Sequence, residues 1–250
     1  MIYIYTFLIL FSFNLYSDPK DKIIHIVKPA NETPQVISKG DAADDPAIWF
    51  NQFSPNNSII FGTDKRSGVY SYNLAGKKIG YSNLGNINNI DIRSINLDEE
   101  GTYTFIVASN RTVGSLDLWI YEDKALDMLT KTKKFSLNSS PSFQGISNMV
   151  VYGVCVGFDE EFGVVAFLTE DEGSSVEMWS YSEEGLSLLT TFSNANATQS
   201  EGCVYDDENR TLFISEEQDR GVLRAYKLNN ELDFSSPHII VYVLLTWLLN

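Results

Sequence analysis

Apolar runs alternate with short polar turns from residue 41 onward, and they do so in a repeating order. Each unit is an apolar run, a small hydroxyl residue, a charged turn and an amphipathic run that closes on a tyrosine. Runs rich in β-branched and aromatic residues between turn residues are typical of strands rather than helices. No window of helical period with capping residues stands out, so we expect an all-β chain.

The repeat predicts a β-propeller rather than a β-sandwich. The closing tyrosines recur at roughly the spacing of a four-stranded propeller blade; they are Tyr72, Tyr121, Tyr181 and Tyr226. First strands of four blades are predicted at 45–50, 89–95, 153–158 and 202–205, and fourth strands follow the tyrosines, for example at 78–81 and 186–192. We assign the propeller blades to residues 41–234.

Polar residues at equivalent places in the repeats are expected to meet in space. The inner strands of a propeller line one channel, and the loops at one end of them converge. This predicts a common mouth for charged residues of separate repeats, namely Asp44, Asp45, Lys65, Arg66, Arg111, Glu170, Asp171, Glu172, Glu201, Glu216 and Glu217. For any single turn, a solvated hairpin is the alternative.

The residue types at this mouth indicate two kinds of binding. Carboxylates are the hard oxygen ligands that Ca²⁺ takes in six- to eight-fold coordination. Lys65, Arg66 and Arg111 are donors suited to phosphate, and arginine can bind it with two parallel hydrogen bonds. Both sets at one mouth make sense if calcium ions bridge the protein to a polyanion.

Seven motifs resemble the alkaline β-propeller phytases in sequence and in order. They are DAADDPAIW (41–49), GTDKRSGVYSYNLAGK (62–77), NNIDIR (88–93), ASNR (108–111), YGVC (152–155), EGCVYDDE (201–208) and ISEEQD (214–219). The resemblance covers about residues 41–228. It implies a six-bladed propeller and a calcium-dependent phosphoric monoester hydrolase, a 3-phytase. Such an enzyme removes phosphates stepwise from phytate with a calcium-activated water and no phospho-enzyme.

The resemblance also implies roles for individual residues. It implies four calcium ligands, namely Asp45, Glu172, Glu201 and Glu217. It implies four residues that contact the substrate phosphates, namely Lys65, Arg66, Arg111 and Tyr152. The three cations and Glu172, which would share the bridging calcium and the water, are the expected catalytic residues. Weaker candidates that would support them are Asp44, Asp91 and Glu216, and Arg93 is expected to pair structurally with one of these.

One position departs from the family pattern. The family commonly carries a lysine just before the glutamate of the acidic turn, and Asp171 stands there in this chain. Losing a cation and gaining an anion should weaken the hold on a neighbouring phosphate by about 1–3 kcal/mol.

The charge balance excludes some classes of binding partner. The 250-residue chain has 33 acidic and 18 basic residues, a formal net charge of −15. Such a chain repels nucleic acid and anionic membranes, so we expect neither as a partner. We expect a monomer, and the resemblance implies phytate or calcium-phytate as what it binds. A secreted propeller that binds without catalysis is the alternative function.

The cysteines and histidines give little support to other kinds of metal site or catalytic nucleophile. Cys155 and Cys203 permit one disulfide or two buried free thiols. The sequence has two histidines, His25 and His238, and neither lies in a repeat mouth. A zinc site, a Cys–His nucleophile and a lactonase- or phosphotriesterase-type hydrolase therefore have little support.

The two ends of the chain differ from the repeat. Residues 1–17 are apolar and predict a signal peptide, hence a secreted or periplasmic protein, followed by an N-terminal arm at 18–40. A buried first strand is the alternative for residues 1–17. Residues 235–250 are apolar without alternation, and we interpret the sequence as truncated or frame-shifted after about four blades. A retained outer strand ending at Val243 and a C-terminal anchor are the alternatives. On this basis we expect little or no phytase activity from the chain as written.

Overall fold

The computed structural model describes residues 27–97, 101–217, 221–229, 232–234 and 237–242. The chain divides into two units, Met1–Ala30 and Asn31–Asn250. In the first unit the described residues 27–30 are exposed and form neither helix nor strand. The predicted signal peptide at 1–17 and His25 lie outside the described residues.

Four four-stranded antiparallel sheets follow one another along the second unit. Blade 1 is β1 (Ala43–Trp49), β2 (Ile59–Asp64), β3 (Gly68–Tyr72) and β4 (Lys78–Asn83). Blade 2 is β5 (Ile87–Asn96), β6 (Thr102–Asn110), β7 (Ser115–Glu122) and β8 (Phe143–Ile146). Blade 3 is β9 (Val151–Asp159), β10 (Gly163–Glu170), β11 (Ser175–Ser182) and β12 (Gly185–Ser193). Blade 4 is β13 (Ser200–Asp206), β14 (Thr211–Glu216), β15 (Val222–Lys227) and β16 (His238–Tyr242).

Strand order confirms the propeller prediction. Within each blade the strands pair in chain order, so every blade is an antiparallel meander. The first strands of successive blades contact one another, as the inner strands of a propeller do. The predicted first strands at 89–95, 153–158 and 202–205 fall within β5, β9 and β13, and the one at 45–50 overlaps β1 except for its last residue.

The hydrophobic core lies between neighbouring blades. Trp49 and Phe61 of blade 1 pack with Trp119 of blade 2, and equivalent clusters lie between blades 2 and 3 and between blades 3 and 4. Burying one such side chain contributes about 1.5–3 kcal/mol. Cys155 and Cys203 form a disulfide that joins β9 to β13, which resolves the alternative left open by the sequence.

One helix was not predicted. The all-β prediction is confirmed, but no helical window was identified where α1 (Asp123–Thr130) follows β7; a short 3₁₀ turn also spans Pro55–Asn57. Glu122, which precedes α1, makes no capping hydrogen bond. The helix is held instead by buried Leu126 and by Asn51, whose Nδ2 donates to Asp127 Oδ1 at 2.9 Å. Distant contacts rather than local pattern therefore stabilise it.

The apolar tail contributes a strand. His238–Tyr242 forms β16 and pairs antiparallel with β15 as the fourth strand of blade 4. This agrees with the alternative of a retained outer strand as far as residue 242; residues 243–250 lie outside the described part. None of the described helices has the length and apolar character needed to cross a membrane.

Candidate functional site

The first strand of every blade carries a β-bulge at the same place. In each blade two residues of the first strand oppose one residue of the second strand. The bulged pairs are Asp44-Asp45, Asn88-Asn89, Tyr152-Gly153 and Glu201-Gly202. We call this end of the blades, where the second and third strands are joined, the mouth. Because a bulge re-aims the side chains it carries, four equivalent bulges direct polar groups to one mouth.

A hydroxyl side chain on the second strand stabilises each bulge. Thr63 Oγ1 accepts from the Asp45 N–H at 2.9 Å, and Thr169 Oγ1 accepts from the Gly153 N–H at 2.9 Å. Ser109 and Ser215 bond to the equivalent bulges of blades 2 and 4. The small hydroxyl residue of the sequence repeat therefore replaces a ladder hydrogen bond that the bulge removes.

Carboxylates from blades 1 and 4 face one another at the mouth. Burial, followed by the nearby charges of Glu217, Asp44 and Asp45, raises the pKa of Glu201 to about 7. Burial likewise raises the pKa of Asp45 to about 6, against a hydrogen bond from the Ile90 N–H. The Glu201 carboxylate therefore lies near enough to those of Glu217, Asp44 and Asp45 to feel their charge.

Asp45 and a further carboxylate, Asp91, also connect neighbouring blades. Asp45 Oδ2 accepts from the Ile90 N–H at 3.0 Å, and Asp91 Oδ2 accepts from the Val156 N–H at 2.9 Å. Each bond ties the first strand of one blade to the first strand of the next. Burial raises the pKa of Asp91. This structural role was not evident from the sequence, because it depends on the placement of strands that are far apart along the chain.

Glu217 and its neighbour Glu216 have different surroundings. Glu217 Oε2 accepts from the Tyr152 hydroxyl at 3.1 Å and from Gln199 Nε2 at 2.5 Å. Burial and the charges of Glu201 and Glu217 raise the pKa of Tyr152, so its hydroxyl stays protonated and donates. Glu216 is buried and pairs with Arg224 at 3.1 Å, which makes it a structural residue. Gln199 is a site residue that sequence reasoning missed.

The three predicted phosphate-binding cations line one cleft. This mouth cleft has a volume of about 500 Å³ and is lined by Asp41, Lys65, Arg66, Asn86, Arg111 and Val150. Lys65 and Arg66 follow β2, and Arg111 follows β6, so the cleft lies between blades 1 and 2. The expected meeting of these cations is confirmed.

Carboxylates already hold two of these cations. Lys65 Nζ lies 2.9 Å from Asp41 Oδ2 and 3.4 Å from Asp44 Oδ1. Arg111 Nη2 lies 2.5 Å from Asp171 Oδ2. A phosphate group entering the mouth cleft therefore competes with protein carboxylates.

Arg111 is also positioned by two neutral groups. Its Nη1 donates to Asn88 Oδ1 at 3.3 Å, and its guanidinium lies 5.6 Å from the centre of the Tyr152 ring. Asn88 is fully buried on the blade 2 bulge, and sequence reasoning missed it.

The structure does not bring two of the candidates into the carboxylate cluster. Glu172 is exposed with a φ of 51°, and among the described residues it makes no hydrogen bond or ion pair. Arg93 forms an ion pair as expected, but its partner is Asp207, at 3.3 Å, and not Asp44, Asp91 or Glu216. Within the described ranges, no three Asp, Glu, His or Cys side chains converge closely enough to form a metal site.

A family model named Phytase matches residues 10–233. The chain belongs to the phytase family. It is 32% identical over 195 residues to the 3-phytase of Bacillus subtilis (strain 168), a match that covers 75% of this chain and 49% of the relative. The chain therefore spans about half the length of that phytase.

Solved structures give more distant likenesses. A Bacteroides fragilis protein assigned as a 6-phosphogluconolactonase has a TM-score of 0.46 and 13% identity, covering 74% of this chain and 54% of the other. Sqt1 from Chaetomium thermophilum has a TM-score of 0.47 and 11% identity, covering 75% of this chain and 43% of the other.

Proposed function

We propose that this phytase-family chain acts as a phosphoric monoester hydrolase that releases phosphate from phytate. The observation that carries the proposal is the mouth cleft, in which Lys65, Arg66 and Arg111 from two blades lie beside a cluster of carboxylates. Similarity to a 3-phytase supports the substrate. Phytate carries several phosphates on one ring, and it suits a mouth that offers several cations at once.

The cations have distinct tasks in this proposal. Arg111, held by Asn88 and the Tyr152 ring, presents its guanidinium to two oxygens of one phosphate. Lys65 and Arg66 hold the oxygens that remain. The bound phosphate displaces Asp171 from Arg111 and Asp41 from Lys65, because one anion replaces another at each cation.

We propose calcium as the cofactor, with the predicted ligands Asp45, Glu172, Glu201 and Glu217. The donors are all oxygens, and the raised pKa of Glu201 reflects burial and then neighbouring negative charge, which a cation would neutralise. When bound, calcium supplies positive charge that stabilises the charge developing on phosphate. Glu201 and Glu217 are the ligands best supported by their surroundings. Glu172 would have to move towards them to take part.

Phosphate release tests the proposal directly. The full chain is assayed on phytate with millimolar calcium and again with a chelator, beside Arg111→Ala and the matched surface variant Lys124→Ala. Release that needs calcium, falls at least about tenfold in Arg111→Ala and is unchanged in Lys124→Ala supports hydrolysis. The sequence also led us to expect little or no activity, and the same assay decides that prediction.

A binding module without catalysis is the second candidate. It is favoured by the lack of three convergent metal-ligating side chains among the described residues. Tight phytate binding that Arg111→Ala weakens, together with no phosphate release at any calcium concentration, would establish this candidate. Unchanged phytate binding in Arg111→Ala would overturn both candidates.

A further inference from the structure

A second cationic cleft lies at the end of blade 1 opposite the mouth. It has a volume of about 340 Å³ and is bounded by the 3₁₀ turn, the β3–β4 turn and the residues that end and follow α1. The mouth cations follow β2 and β6, whereas these connections join the other ends of the strands. The two clefts are therefore separated by the length of the blade. We call the second one the lysine cleft.

The lining of the lysine cleft is basic and rich in amides. Three lysines and three asparagines line it, namely Lys77, Lys78, Lys133, Asn56, Asn57 and Asn73. Among its described lining residues there is no carboxylate. This is unusual for a chain in which acidic residues outnumber basic ones by 33 to 18.

In the described part of the chain, the lysines of this cleft lack the carboxylate partners that several other cations have. Six cations of the described residues form ion pairs with carboxylates, namely Lys65, Arg93, Arg111, Lys131, Arg210 and Arg224. In the same described ranges, Lys77 and Lys133 form none. Lys78 Nζ lies 4.5 Å from the centre of the Tyr70 ring. An anion entering here meets ammonium groups without having to displace a carboxylate.

The local geometry also leaves hydrogen-bond donors in the cleft that an anion could accept from. Asn73 Oδ1 accepts from the backbone N–H groups of Ala75 and Lys77, which leaves its Nδ2 as a donor. Lys133 has a φ of 58° and donates its N–H to Thr130 O at 2.9 Å. Helices commonly place glycine in this left-handed conformation just after their last turn. A lysine held there despite the strain is the kind of outlier that accompanies binding sites.

We propose that the lysine cleft binds a small anion that carries two or more phosphate groups. Several ammonium groups around one cleft of this volume suit a multiply charged ligand better than a single carboxylate. The described lining holds no carboxylate or histidine that could activate a water molecule. The cleft therefore binds its ligand without hydrolysing it, and the inference does not depend on the proposed phytase activity.

Calorimetric titration of pyrophosphate tests the inference. The full chain first carries Lys65→Ala, Arg66→Ala and Arg111→Ala, so that the remaining binding reports the lysine cleft. Low ionic strength keeps exposed charges from being screened. Adding Lys77→Ala and Lys133→Asn should weaken pyrophosphate binding at least about tenfold, because two charge-assisted contacts are lost. Asparagine is chosen because it tolerates positive φ.

Two further measurements make the result decisive. The control pair Lys39→Ala and Lys124→Ala removes the same charge elsewhere and should leave the affinity unchanged. In the wild-type chain, pyrophosphate should protect Lys77 and Lys133, but not Lys39 and Lys124, from acetylation read by mass spectrometry. Equal weakening in both variant pairs, no binding once the mouth is blocked, or no selective protection would each overturn the proposal.

Discussion

At the scale of single residues, phosphate binding in the mouth cleft depends on which anion contacts each cation. Arg111 is bound to Asp171, 60 positions along the chain, with Nη2 and Oδ2 2.5 Å apart. The sequence drew attention to Asp171 as an anion in place of a lysine. It could not show that this anion contacts Arg111, because that contact requires blades 2 and 3 to be placed side by side.

Asp171→Asn should strengthen phosphate binding. Removing the carboxylate frees Arg111 from an internal competitor, and a partly exposed ion pair of this kind corresponds to roughly a two- to fivefold change in affinity. Titration calorimetry with inorganic phosphate measures the change. Glu183→Gln, in the β11–β12 turn at the far end of blade 3, is the charge-matched control. Unchanged or weaker binding in Asp171→Asn would contradict competition at Arg111.

Asp159→Asn should destabilise the fold, and its effect should depend on pH. Burial disfavours ionisation, but Arg210 at 2.8 Å and the Tyr205 hydroxyl hold the pKa of Asp159 below its ordinary value. Its stabilisation is therefore complete above about pH 3.8 and is lost as the pH falls through the lowered pKa. Breaking this buried pair should cost about 3–5 kcal/mol at pH 7.

Urea unfolding at pH 7 and pH 3 measures this effect of Asp159. The difference in unfolding free energy between wild type and variant should shrink at the lower pH. Glu208→Gln, an exposed change in the β13–β14 turn of blade 4, serves as the control. A difference that is equal at both pH values would show that the charge of Asp159 is not what stabilises the fold.

At the scale of elements, strands were predictable and their irregularities were not. Apolar alternation and turn residues are local, so they located β1, β5, β9 and β13 correctly. Helix α1 was missed because it is stabilised by Asn51 and by the core between blades 1 and 2. The local sequence pattern does not indicate such distant contacts. The hydroxyl residues were recognised as part of the repeat. Their bonds to the bulges depend on strand register, which one strand's sequence does not contain.

Thr169→Val should destabilise blade 3 by about 1–3 kcal/mol. Valine keeps the shape of threonine but removes the acceptor for the Gly153 N–H, leaving a buried donor without a partner. Urea unfolding measures the loss, and Thr191→Val on the outer strand β12 is the exposed control. If the two variants unfold alike, the hydroxyl does not stabilise the bulge.

At the scale of the whole molecule, contacts between first strands hold the blades together. The disulfide between Cys155 and Cys203 connects blades 3 and 4 across 48 positions of the chain. Disulfides persist in secreted and periplasmic proteins, so this bond supports our proposal that the chain is exported. Sequence alone could not choose between a disulfide and two thiols, because the choice depends on the 5.6 Å separation of the two Cα atoms.

Reduction of the disulfide should lower stability by about 2–4 kcal/mol. Urea unfolding with and without a reductant measures the effect. The Cys155→Ser/Cys203→Ser variant should have the unfolding free energy of the reduced protein, and the reductant should not change it. Equal stability in both redox states would contradict a stabilising role for the bond.

The predicted signal peptide has its own test. N-terminal sequencing of protein recovered outside the cytoplasm should show cleavage near Ser17.

The four equivalent bulges make the chemistry of the mouth modular. Each uses the same backbone irregularity and a hydroxyl from the next strand, yet the side chains displayed are acidic in blades 1 and 4, amide in blade 2 and phenolic in blade 3. A substitution at one bulge can therefore change the ligand set while the scaffold is conserved. Such a molecule can exchange one binding specificity for another a single blade at a time.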